Sequence, residues 1–106
     1  MPGNMLEDMH RKLRDELFEL SIHTLTRSIQ RAILLDELVE AMLSGEIIEK
    51  YSDDHYGPSC LILGYTRNNR PLHIQCSYPS RPILKIITVY EPTLEKWKPD
   101  LKTRNV

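Results

Sequence analysis

Between residues 47 and 90 the chain alternates β-prone stretches with short loops rich in Asn, Pro, Ser and Gly, whereas residues 5–42 carry apolar positions three and four apart. Helices first and strands after is the pattern of an α+β domain, with N-terminal helices packed on one face of a curved antiparallel sheet of about four strands. The second sheet face, or its edge, is expected to be left open for a partner or substrate. With 106 residues, 41% of them hydrophobic, the chain can build one modest core.

Leu6, Met9, Leu13, Leu17 and Leu20 lie on one face of a helix predicted from Met5 to Leu20. Ile22, Leu25, Ile29 and Ile33 give a second apolar stripe, with Ser21 as a candidate cap. Leu35, Leu38, Val39 and Met42 give a third helix, and Gly45 is a candidate stop because glycine accepts the left-handed conformation that ends many helices. Strands are predicted over 47–51, 59–65, 72–77 and 83–90. The loop Thr66–Arg70 is a hairpin in which Asn68 and Asn69 can take positive φ. Trp97 is expected to dock the tail on the body, and the last residues to fray.

No apolar run approaches the ~20 residues of a membrane span. The start Met1-Pro2-Gly3-Asn4 lacks a secretion-signal pattern. Two cysteines do not make a disulfide scaffold, so a cytoplasmic protein with reduced thiols is expected. The net charge of −1 excludes a bulk polycation but hides an asymmetry: residues 1–54 carry net −6 and residues 55–106 net +5. Arg67, Arg70, Arg81 and Lys85 lie in a stretch free of acidic residues. The basic half suits an anionic partner, and equally an attraction between the two halves.

His23, Arg27 and Arg31 stand at i, i+4 and i+8, within about 80° of one another on a helix. The like charges repel unless something anionic lies nearby. Two readings fit: a phosphate clamp beside an acid–base group, or a solvated helix face paired with local carboxylates. Alternation places His73, Gln75 and Ser77 on one side of their strand and Leu72, Ile74 and Cys76 on the other, so His73 belongs either to a site floor or to a solvent-facing row. Thr88 and Tyr90 share a face at the end of the last strand. A hairpin centred on Asn68 sets Cys60 opposite Cys76, as buried thiols or as a redox-sensitive pair. His10, His23, His55 and His73 show no ligand spacing, so neither metal nor other cofactor is expected. Asp53-Asp54 is a weak hint of a cation site.

Taken in order, His23-x-x-x-Arg27-x-x-x-Arg31, Gly45-Glu46-Ile47-Ile48-Glu49-Lys50-Tyr51, Gly57-Pro58-Ser59-Cys60-Leu61, Arg70-Pro71-Leu72-His73 and Ile87-Thr88-Val89-Tyr90-Glu91-Pro92 resemble the bacterial family catalogued as domain of unknown function forty-two fifty-eight. The resemblance covers residues 21–98 and implies a small α+β domain; with the length and periodicity above, the chain reads as one domain over 1–106, with an N-terminal helix over 1–20, a family-like core over 21–98 and a frayed tail over 99–106. The resemblance also implies a distant likeness to RelE-type and barnase-type ribonuclease toxins, and a zinc-ribbon antitoxin as partner. One departure stands out: typical members carry glycine where this chain has Ala32, so Ala32-Ile33-Leu34-Leu35 can run on helically.

Resemblance and residues meet at metal-independent endoribonuclease chemistry, with the 2′-hydroxyl of RNA as nucleophile. His23 is the candidate acid or base, Arg27 the phosphate stabiliser and Arg31 its support. Tyr90 and Thr88 are candidates to position the phosphate, and His73 is the alternate proton-transfer group. Tyr65, Tyr78 and Tyr90 are candidates for base stacking. The alternative is a non-catalytic protein-interaction module.

Overall fold

The computed structural model describes residues 4–52, 57–80 and 82–106; Asp53-Asp54, His55 and Arg81 lie outside the described residues. The order is α1 (Met5–Arg14), β1 (Phe18–Leu20), α2 (Ile22–Gln30), α3 (Leu35–Leu43), β2 (Glu46–Tyr51), β3 (Ser59–Tyr65), β4 (Pro71–Ser77) and β5 (Leu84–Tyr90). The fold is α+β, and its sheet is ordered β1-β5-β4-β3-β2. Strands β2 to β5 form the expected antiparallel meander, and β1 adds a fifth strand parallel to β5.

The first helix is shorter than its periodicity suggests. Asn4 caps α1 through its side-chain oxygen, which accepts from the Glu7 N–H at 2.8 Å. The helix stops at Arg14, where Glu16 turns left-handed at φ 58°. Glu16 N–H donates to the Leu13 carbonyl and Leu17 N–H to the Lys12 carbonyl, the paired bonds of a Schellman motif. Phe18 and Leu20 fit period two as well as period 3.6. Over three residues, pairing with Leu84 and Ile86 decides for strand.

The second stop is built the same way. Ala32 takes φ 55°, its N–H donates to the Ile29 carbonyl, and the Ile33 N–H donates to the Ser28 carbonyl. The helical continuation through Ala32-Ile33 is therefore corrected: the alanine occupies the left-handed position that glycine fills at no steric cost. Arg70 holds this joint, donating from Nη1 to the Ala32 carbonyl at 2.8 Å and from Nη2 to the Arg31 carbonyl at 3.2 Å.

α2 also reverses the expected sidedness. Ile22, Leu25 and Ile29 are 84%, 45% and 68% exposed, and the buried positions are Thr24 and Ser28. The reason lies in β5. β1 covers its outer edge only as far as Ile86, and the carbonyls beyond need donors. The Thr24 hydroxyl donates to the Ile87 carbonyl at 2.9 Å, and the Arg31 guanidinium donates to the Val89 carbonyl at 2.7 Å. A polar helix face is therefore turned inward to complete a sheet edge. Ser21 caps α2 as expected, accepting from the Thr24 N–H.

α1 and α3 cover one sheet face with Met9, Leu13, Leu38, Ala41 and Met42, against Ile62, Leu72, Ile74, Leu84, Ile86 and Val89. Each such side chain contributes roughly 1.5–3 kcal/mol by leaving water. Gly64 permits this approach: a Cβ there would lie 1.7 Å from the Ala41 carbonyl oxygen. α3 does end before Gly45, but that glycine is not among the positive-φ positions. A Cβ there would meet the Ile62 side chain at 2.5 Å, so close packing explains it.

The hairpin register sets Cys60 opposite Cys76, with Asn69 at φ 64°. Both thiols are free and fully buried, with their sulfurs 3.9 Å apart. No described helix is long and apolar enough to cross a membrane.

Candidate functional site

The second sheet face is where the polar side of β4 emerges. His73 pairs across with Tyr90, and Gln75 with Thr88. This face is not left open at His73, which is 0% exposed. The tail covers it. Trp97 is buried, meets the imidazole edge-on at a centroid distance of 4.4 Å, and carries the Arg104 guanidinium 4.7 Å from its own ring centre. Residues 99–106, expected above to fray, turn back through the Lys98 N–H to the Thr103 carbonyl and the Asn105 N–H to the Lys96 carbonyl. Arg104 closes the strap with two hydrogen bonds of 2.9 Å to Glu49. Glu49 also accepts from the Tyr51 hydroxyl. Arg104 holds the Glu49 carboxyl below its ordinary range, while burial and Glu49 push the Tyr51 phenol up to about 12.

These contacts determine the state of His73. Its Nε2 lies 2.7 Å from the Leu101 carbonyl, which can only accept, so Nε2 carries the proton. Nδ1 lies 3.1 Å from the Tyr90 hydroxyl and accepts from it. Burial lowers the His73 pKa, and the bond to Leu101 and the Glu49 charge only partly offset this. The ring is neutral near pH 7 with its basic lone pair on the phenol. Burial pushes the Tyr90 phenol up, against the Arg104 and Arg31 charges.

Tyr90 opens onto a cleft of about 480 Å³ between the end of α2, the end of β5 and the tail. Arg31, Lys96 and Arg104 supply positive charge there, and Glu91 and Glu95 line the same cleft. Of the residues singled out in the sequence, the structure gathers Arg31, Tyr90 and, behind Tyr90, His73. Thr88 is half-buried beside Gln75 and does not line the cleft. His23 lines a separate depression of about 330 Å³ with Ser21 and Lys85. Arg27 is exposed between the two. Tyr65 and Tyr78 border other depressions. Among the described residues no three His, Cys, Asp or Glu side chains converge as metal ligands.

Sequence reasoning missed Lys96, Arg104 and Glu49. For the two basic residues the available signal was the spread of Lys96, Lys98, Lys102 and Arg104 over nine positions beside Trp97.

A small α+β domain with a basic cleft at the end of its sheet is the class these features define. The chain belongs to the family described as Domain of unknown function (DUF4258), whose model matches residues 20–91. α1 and the tail lie outside that match, and each covers one face of the sheet. Comparison with the curated proteins and with the solved structures gives no match.

Proposed function

We propose that the domain is a metal-independent endoribonuclease of toxin type that cleaves single-stranded RNA by 2′-hydroxyl attack at the Tyr90 cleft. The observation that carries the reading is the hydrogen-bonded chain from the Leu101 carbonyl through neutral His73 to Tyr90, ending in a cleft lined by three basic and two acidic side chains. A 2′-hydroxyl placed on the Tyr90 oxygen passes its proton to the phenol as the phenol passes its own to His73 Nδ1. The 2′-oxygen attacks the adjacent phosphorus, forming a cyclic phosphate and breaking the bond to the 5′-oxygen. The imidazolium returns the proton through Tyr90 to that leaving oxygen. Arg31, Lys96 and Arg104 stabilise the charge on the pentavalent phosphate. Tyr90 is the catalytic residue in this scheme, and His73 acts through it as a positioning residue.

The test is incubation of single-stranded RNA with the purified protein in excess chelator. Fragments ending in 2′,3′-cyclic phosphate are expected, with resistance of a substrate carrying 2′-deoxy sugars. Tyr90→Phe should lower the rate by about 10²–10⁴-fold, the usual range for a proton-transfer group. His73→Gln should remove the acid limb of the pH–rate profile as well as lower the rate. Intact RNA after prolonged incubation would overturn the reading.

The exposed aliphatic face of α2 favours a second reading, a non-catalytic module that docks a partner protein such as a zinc-ribbon antitoxin through Ile22, Leu25 and Ile29. Substituting these three with Ser, with retention of partner and phenotype, would count against it.

A further inference from the structure

The basic residues on this flank of α2 have no carboxylate bonded to them among the described residues. α2 contains no acidic residue. Among the described residues neither His23 nor Arg27 makes a side-chain hydrogen bond or ion pair, and Arg31 bonds only to a backbone carbonyl. Four arginines elsewhere are paired, Arg11 with Asp8, Arg67 with Glu40, Arg70 with Glu37 and Glu91, and Arg104 with Glu49, whereas Arg14 on α1, like Arg27, has no such partner among the described residues. The carboxylate-paired helix face, one of the two readings of this spacing, is therefore not what the fold builds.

The row has a direction. Thr24 and Arg31 bond to Ile87 and Val89, so α2 lies along the free edge of β5. His23 and Lys85 share the depression at one end, and Arg31 and Tyr90 share the cleft at the other. Arg27 stands between them on the same flank. Eight residues of helix separate the ends by about 12 Å, with the roots of successive members of the row about 6 Å apart. A ladder of regularly spaced anions fits such a row, and an unstacked polynucleotide strand, stretched beyond the ~3.4 Å rise of stacked DNA, is one. Carboxylates of an acidic protein surface have no such repeat.

We infer that the α2–β5 seam is a single-strand nucleic-acid track, on which His23 and Arg27 hold phosphates flanking the one seated at Tyr90. The inference rests on the RNA part of the function proposed above and assigns His23 and Arg27 to strand binding outside the cleft. It implies that a dinucleotide, which fills the cleft alone, binds much more weakly than a hexanucleotide.

The test separates binding from cleavage by using fluorescein-labelled 2′-O-methyl hexauridylate, whose capped 2′-oxygen cannot attack. Affinity is measured by anisotropy at several salt concentrations. Each phosphate contact contributes about 0.7 to the slope of log K against log salt for a single strand. Arg27→Gln should lower the slope by about that amount, and Arg27→Gln with Arg31→Gln by about twice it. Arg11→Gln, on the far helix α1, should leave the slope as it was. An equal fall for Arg11→Gln would reduce the effect to net charge and overturn the track. Equal affinity for poly-L-glutamate of matched charge would overturn the nucleic-acid assignment. Absence of hexamer binding would overturn it too, and if unmodified RNA is still cleaved, the ribonuclease reading survives that loss. Hexamer binding with the expected slopes but no cleavage of unmodified RNA would leave the track standing and remove the catalysis.

Discussion

Replacing Ala32 with glycine should make the protein more stable, which is unusual for a glycine substitution next to a helix. Ala32 sits at φ 55° between α2 and α3, with both bonds of the Schellman motif made and Arg70 fastening its carbonyl. A left-handed conformation costs an L-residue with a Cβ roughly 1–2 kcal/mol. Glycine removes that cost but adds freedom to the unfolded chain, taking back about 0.4–1 kcal/mol. The difference is a gain of about 0.5–1 kcal/mol, which raises the Tm of a domain this size by about 3–6 °C. Urea and thermal unfolding followed by circular dichroism measure it, with Ala32→Val as the opposing control because a β-branched side chain is worse in this region. A Tm for Ala32→Gly at or below that of the parent would refute the reasoning, by showing that the joint is helical or that Arg70 leaves no strain to relieve.

The same logic predicts a smaller gain for Glu16→Gly at the end of α1, read in the same unfolding assay. Gly64→Ala should cost about 3 kcal/mol or more, or abolish soluble expression, because the added carbon meets rigid backbone of α3. The pH dependence of stability follows from His73, whose folded pKa lies below its ordinary 6.5. Between those two values the unfolded chain binds more protons, so stability is full above the ordinary value and falls as pH drops through it. His73→Gln should show a smaller loss of stability between pH 7 and 5 than the parent in urea titrations. Arg104→Ala releases the strap from Glu49. Because the chain has one tryptophan, this should appear directly as a red-shifted Trp97 emission.

Much of this molecule could be read in one dimension. Alternation along Leu72–Cys76 placed the correct side chains in the core, the hairpin arithmetic around Asn68 set Cys60 opposite Cys76, and Ser21 capped the helix it precedes. These features are local: they depend on period, turn chemistry and capping within a few residues. The site was half legible. Arg31, Tyr90 and His73 were singled out among the candidate residues, but that the fold gathers these three and leaves His23 and Thr88 elsewhere was not legible.

Long-range pairing decided the remainder. Phe18–Leu20 is a strand because β5 offers a free edge, and α2 turns Thr24 inward because the same edge continues past that strand with unsatisfied carbonyls. Nothing within either segment encodes the demand, which arises from hydrogen-bond groups more than 60 residues away. The burial of His73, and the neutrality that burial brings, likewise come from the tail, whose Leu101 carbonyl and Trp97 ring lie beside the imidazole only after the tail has folded back. Local periodicity states what a segment can become; the unsatisfied backbone of its distant neighbours selects among those options.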